Sequence, residues 1–271
     1  MTNTSFRQPV VLGRTGLQVG RLGIASGYGA PTEALEEAFE RGCNYFTWGT
    51  IFRGYSPHLR RALRNIIAKG QRDRLALAMF SYAHNNFFTE RLFLRGLKSA
   101  GLDRADILIL GYFSRRPPRR LIDGGLRLKE KGLIRFIGLS GHNRKLLGQL
   151  AEDGEFDVLH VRYNAAHRGA ETETFPLLGS KNRPGIVAFT ASRQGKLLNP
   201  KKMPPGVSPP TAVDCYRFVL SHPAVNICMS AVKTVEQMRE NLKILDSGPM
   251  TEEELARMRL IGDHVYGRKR K

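Results

Sequence analysis

Eight times along this chain a brief apolar run gives way to a turn and then to an amphipathic stretch. The runs are RLGIAS (21–26), NYFTWG (44–49), LALAMF (75–80), ILILGY (107–112), FIGLSG (136–141), VLHVRYN (158–164), GIVAFTA (185–191) and NICMSA (226–231). They are short, rich in Ile, Leu, Val and Phe, and mostly apolar on both sides, as strands covered on two faces must be. Between them lie helical patterns. TEALEEAFERG (32–42) sets Ala34, Leu35, Ala38 and Phe39 on one side and stops at Gly42. SPHLRRALRNIIAKG (56–70) opens with Ser56 as N-cap and Pro57 at the first helical position. The others are 89–101, 121–132, 145–153, 171–180, 211–222 and 234–245. Pro176 and the pair Gly124–Gly125 argue against regular helix in two of them.

Eight such alternations have one economical closure, a (β/α)8 TIM barrel, and the expectation is a single domain over residues 1–271. A doubly wound sheet is the second choice. It normally carries a glycine-rich phosphate loop after a strand, and SGYG (26–29) lacks the GxGxxG spacing. Ahead of the first run, VVLGRTGLQVG (10–20) reads as a β-hairpin that plugs the barrel bottom. TEEELARMRLIGDHVY (251–266) reads as an extra C-terminal helix, with Thr251 and Glu254 spaced as a capping box. The irregular piece after the seventh run, 192–210, holds five prolines and three lysines and is expected to be a surface flap.

Composition bounds the rest. Of 271 residues, 41% are hydrophobic, enough for a sizeable core. The three cysteines form no disulfide framework or zinc spacing, and the seven histidines show no metal-ligand pattern. The opening residues lack a signal-peptide core and no run approaches a membrane span, so a soluble, cytoplasmic protein with no membrane partner is expected. The net charge of +19 implies a polyanion or an anionic ligand. The loop SRRPPRR (114–120) follows the fourth run, on the side of a barrel that binds ligands. With Lys196, Lys201 and Lys202 it would make the mouth positive and suit an anionic substrate. The basic tail GRKRK (267–271), without interleaved aromatics, is weak support for nucleic-acid binding.

Four segments carry a family resemblance: LGRTGLQVGRLG (12–23), ALEEAFERGCNYF (34–46), IGLSGHN (137–143) and VKTVEQMRENL (232–242). In this order and spacing they resemble the aldo/keto reductase superfamily, over about residues 10–245. The resemblance implies a (β/α)8 barrel that binds NADP(H) at its C-terminal mouth and reduces carbonyls by hydride transfer. In that family a tyrosine donates the proton, aided by a lysine–aspartate pair and a histidine. At the matching positions this chain has Thr47 for the aspartate, Phe52 for the tyrosine, Phe80 for the lysine and Gly111 for the histidine. The loss is coordinated, since lysine and aspartate go together and no buried carboxylate is left unpaired.

By the same resemblance the cofactor half is better kept. Ser140 matches the residue that bonds the nicotinamide carboxamide, His160 stands at a usual glutamine, and Phe189 keeps the stacking face under the ring. Gly195 and Leu197 resemble the loop over the pyrophosphate. Lys233, Thr234, Gln237 and Asn241 match the pattern that holds the 2′-phosphate and adenine at a helix N-terminus. On the residues alone, Lys233 and Thr234 serve equally as a plain helix start, His160 and Phe189 as core, and His142 and Asn143 as helix caps. Trp48, Tyr82 and Tyr112 are placed in the substrate pocket, where they line an apolar wall or supply a new proton. The expectation is an NADP(H)-binding, aldo/keto-reductase-like protein with altered or lost carbonyl reductase activity. The alternative is a non-enzymatic basic barrel that binds nucleic acid or an acidic partner.

Overall fold

The computed structural model describes residues 5–49, 56–83, 86–179 and 181–267. Phe52, Tyr55, His84 and residues 268–271 of the basic tail lie outside them. The hairpin comes first, as β1 (Val10–Val11) and β2 (Gln18–Val19), paired antiparallel. Eight strands follow: β3 (Leu22–Ala25), β4 (Tyr45–Gly49), β5 (Ala76–Ser81), β6 (Ile107–Leu110), β7 (Phe136–Gly141), β8 (Val158–Arg162), β9 (Gly185–Phe189) and β10 (Ile227–Ser230). They pair in parallel in chain order, and β10 returns to β3 to close the barrel. Each falls within an apolar run, except that β5 extends one residue past its run to Ser81. The closure excludes the doubly wound sheet.

The helices are α1 (Thr32–Glu40), α2 (Pro57–Ala68), α3 (Asn86–Ala100), α4 (Arg119–Glu130), α5 (Arg144–Glu152), α6 (Ala170–Glu173), α7 (Ala212–Leu220), α8 (Val235–Leu242) and α9 (Glu252–Tyr266). Ser56 Oγ accepts from the Leu59 amide at 3.1 Å, so α2 starts where its cap sets it. At α9 the Thr251–Glu254 capping box forms in both directions. Pro176 shortens the sixth helix: α6 ends at Glu173 and a 3-10 turn, Phe175–Leu177, takes over. The glycine pair does not break α4. A Cβ on Gly125 would come within 2.9 Å of Ile137 Cδ1, so the glycine brings α4 close to β7.

Alternation along the strands divides the core. One set of side chains fills the barrel, among them Tyr45, Ala78, Ile109, Val158, Val187 and Ile227. The other set packs outward on the helices. Leu12 and Val19 of the hairpin belong to the inner set and are fully buried, which closes the bottom as the hairpin reading requires.

Residues 192–210 are not a loose flap. Leu197 is fully buried, Arg257 Nη2 donates to the Ser208 carbonyl at 2.9 Å, and Arg193 Nη1 donates to the Val265 carbonyl. The segment is tied down by α9, whose Gly262 lies so near Ala165 that a Cβ would sit 2.1 Å from its carbonyl oxygen. Among the described residues no helix is long and apolar enough to cross a membrane.

Candidate active site at the barrel mouth

In a parallel barrel the loops after the strands share one face, and ligands are taken there. Register fixes which side chains look into it. Tyr45 is an inner residue, so Thr47 and Gly49 follow it inward, while Phe46 and Trp48 turn out to the helix layer. Trp48 is 1% exposed in that outer core, so its assignment to the substrate pocket is corrected. NYFTWG is apolar on both parities, and the string by itself does not say which face is inner.

From β5 to β9 the mouth is walled by aromatic rings. Phe80 stacks on Tyr82 (centroids 5.6 Å apart), Tyr82 on Tyr112 (5.2 Å) and Tyr112 on His142 (5.8 Å). His142 in turn meets Phe189 edge-on at 5.6 Å. Tyr82 and Tyr112 are thus stacked neighbours past the ends of β5 and β6. Asn143 caps α5, accepting from Leu146 at 3.2 Å, but His142 is part of the wall rather than a cap. Gly111 explains how the arch fits. A Cβ there would lie 2.6 Å from Tyr82 Cδ1, so the tyrosine ring fills the space that a side chain at 111 would need. The inward positions of β4 to β6 and their exits, Tyr45, Thr47, Gly49, Ala76, Ala78, Phe80, Ile107, Ile109 and Gly111, include no carboxylate and no lysine.

Below the arch, Tyr45 Oη lies 2.8 Å from His160 Nε2, with both residues buried. Burial holds the imidazole neutral, its pKa pushed down to about 3, and raises that of the Tyr45 phenol. His160 also takes the Phe80 ring edge-on at 5.2 Å. Ser140 pairs with His160 in register, and its hydroxyl has no hydrogen-bond partner among the described residues. Phe189 is half-buried at the end of β9.

Beyond β9 the backbone is strained. Thr190, Arg193 and Gln194 have φ of 60°, 51° and 55°, values that side-chain-bearing residues avoid, followed by Gly195 at 79°. The buried Asn164 holds the segment by donating to the Thr190 carbonyl at 2.8 Å. Gly195 is exposed on this turn, while Leu197 is a core anchor.

At α8, Thr234 accepts from the Gln237 amide at 3.2 Å as N-cap, and Gln237 Oε1 accepts from the Lys233 amide at 2.9 Å. Lys233 is exposed beside this helix start. Asn241 is turned inward, its Nδ2 donating to Ser230 Oγ at 2.9 Å and to Tyr216 Oη at 3.1 Å. Two arginines of the SRRPPRR loop are engaged by carboxylates. Arg116 pairs with Asp153 and Glu155, and Arg119 with Asp123 and Glu155. Those partners include acids just past α5, at the end of that helix away from the strand exits. The residue that sequence reasoning passed over is Arg162, the last of β8, which faces inward beside Phe189. It reads as one more strand residue until register gives it a direction.

The family model for the aldo/keto reductase family matches residues 28–214, well over half of the sequence. The chain belongs to the aldo/keto reductase family. Two solved structures show the same aldo/keto reductase barrel. The holo form of aldo-keto reductase AKR11C1 from Bacillus halodurans is 17% identical, with a TM-score of 0.78 over 94% of this chain and 96% of that one. Its apo form is 20% identical, with a TM-score of 0.75 over 94% and 95%. Among curated protein sequences, none matches this aldo/keto reductase chain.

Proposed function

We propose that this is an NADP(H)-binding aldo/keto-reductase-like protein whose ordinary carbonyl reduction is altered or lost. When bound, the cofactor would supply a hydride. What the reading finds wanting is the proton. Phe80 stands inward where the family's lysine would be, Thr47 replaces the aspartate, and the Tyr82 ring excludes any side chain at Gly111. Without the lysine–aspartate pair, a mouth phenol lacks the aid that the family's tyrosine has in giving up its proton. That filled space beside Gly111 is the observation that carries the reading, because the mouth has been rebuilt rather than merely stripped.

The residues fit the dinucleotide at both ends. The Ser140 hydroxyl has no competing partner among the described residues, and the Phe189 face adjoins it across β8. At the other end, the exposed Lys233 and the start of α8 suit a phosphate. His160, Gly195, Thr234 and Gln237 would line the path between. Asn241 and Leu197 support it from the core, since the Asn241 amide nitrogen is already bonded and Leu197 is buried. NADPH consumption with simple aliphatic and aromatic aldehydes tests the chemistry: turnover no faster than about 1% of a median enzyme's ~10 s⁻¹ is expected. Vigorous turnover would show that an intact proton relay exists.

A further inference from the structure

Arg162 is the odd group of the mouth. Its Nε is buried with no hydrogen-bond partner, and the side chain makes no ion pair among the described residues. Arginines near it in sequence are all engaged: Arg144 holds Glu173 through two bonds of 3.1 Å, and Arg168 holds Asp263. Arg193 lies over the Tyr266 ring at 5.6 Å and donates to the Val265 carbonyl. Arg144, Arg193 and the Tyr266 phenol all act electrostatically on Arg162, and the two arginines disfavour its charge. His142, in the arch, has its pKa lowered by burial and by Arg162. A guanidinium desolvated at one nitrogen, crowded by like charges and turned inward at the end of β8, is unfavourable unless an anion completes it.

The surroundings define the anion. Arg162 pairs in register with Phe189, where the wall of Phe189, His142, Tyr112 and Tyr82 ends. We propose that Arg162, with Arg193 behind it, is the anion seat of this mouth, and that the ligand taken there is a flat-bodied organic acid. Its ring lies on the aromatic wall, and its carboxylate or phosphate monoester meets the guanidinium fork. This deepens the functional reading above, since it assigns the substrate class of the same mouth.

Calorimetric titration of the full chain with benzoate, phenyl phosphate, benzyl alcohol and inorganic phosphate tests it. Benzoate or phenyl phosphate is expected to bind at least about tenfold tighter than benzyl alcohol or inorganic phosphate, and the stronger of the two names the head group. Arg162→Met should abolish that preference, keep wild-type NADPH affinity and melt no lower than wild type. Arg162→Lys, which keeps the charge and loses the fork, should retain part of the affinity. Equal binding of benzoate and benzyl alcohol would overturn the proposal. So would acid binding that survives in Arg162→Met, or a wild type that binds neither acid while Arg162→Met loses NADPH. A wild type that binds benzoate through Arg162 but not NADPH upholds the seat and sinks the cofactor reading instead.

Discussion

At the scale of single residues, the mouth is decided by which side chains share space. The Tyr82 ring and a Cβ at Gly111 cannot coexist without movement, so Gly111→Ala should destabilise the fold by about 1–3 kcal/mol. In a Tyr82→Ala background the same change should cost little, as a double-mutant cycle of thermal melts would show. Equal costs in both backgrounds would mean that the ring does not fill that space. His160 carries a second prediction. Its folded pKa of about 3 lies below the ordinary 6.5, so the unfolded chain binds the extra proton between those values. The stability owed to the neutral imidazole is whole above pH 6.5 and drains as pH falls toward 3, by up to about 1.4 kcal/mol per unit. Melting His160→Gln across that window should reveal a shallower acid slope than wild type. A parallel slope would place the titration elsewhere. Phe80 and Gly111 were placeable at strand ends because the apolar runs fix their neighbours. Arg162 was passed over and Trp48 was placed in the pocket because facing direction depends on register, which a run apolar on both parities does not encode.

Among the elements, α9 acts as the brace of the mouth. It reaches the loops after β8 and β9 through Gly262 against Ala165, Asp263 with Arg168, and the bond from Arg193 to Val265. Gly262→Ala pushes a methyl group at a backbone carbonyl, which cannot swing aside as a side chain would. A loss of about 1–3 kcal/mol is expected, with the melting point falling by roughly 2–4 °C per kcal/mol. An unchanged melting point would show that α9 is not packed down. The elements themselves were largely readable. Ser56, Thr234 and Thr251 are caps with their own hydrogen bonds, and the eight apolar runs became the eight barrel strands. In 192–210, prolines and lysines mark a surface loop without revealing that Leu197 anchors it. Composition likewise counts the arginines of SRRPPRR but does not locate Asp153 and Glu155 beside Arg116.

For the whole molecule, family and fold agree on an aldo/keto reductase barrel, and its described mouth is walled by aromatic rings. The +19 charge is an excess of cations over carboxylates, so ion pairs add nothing to it and cations left without carboxylates carry it; among the described residues Arg162 is such a cation turned into the barrel. The central claim is that a dinucleotide pocket persists where the proton relay has gone. Trp48 lies in the outer core, so its fluorescence is a poor witness to the mouth, and heat is the better signal. Calorimetric titration of the wild-type chain with NADPH is the most direct measurement. The account predicts saturable binding of one NADPH per chain with Kd below about 1 mM, weakened roughly two- to fivefold by Lys233→Ala. Heats that never saturate, or a Kd indifferent to Lys233, would contradict it.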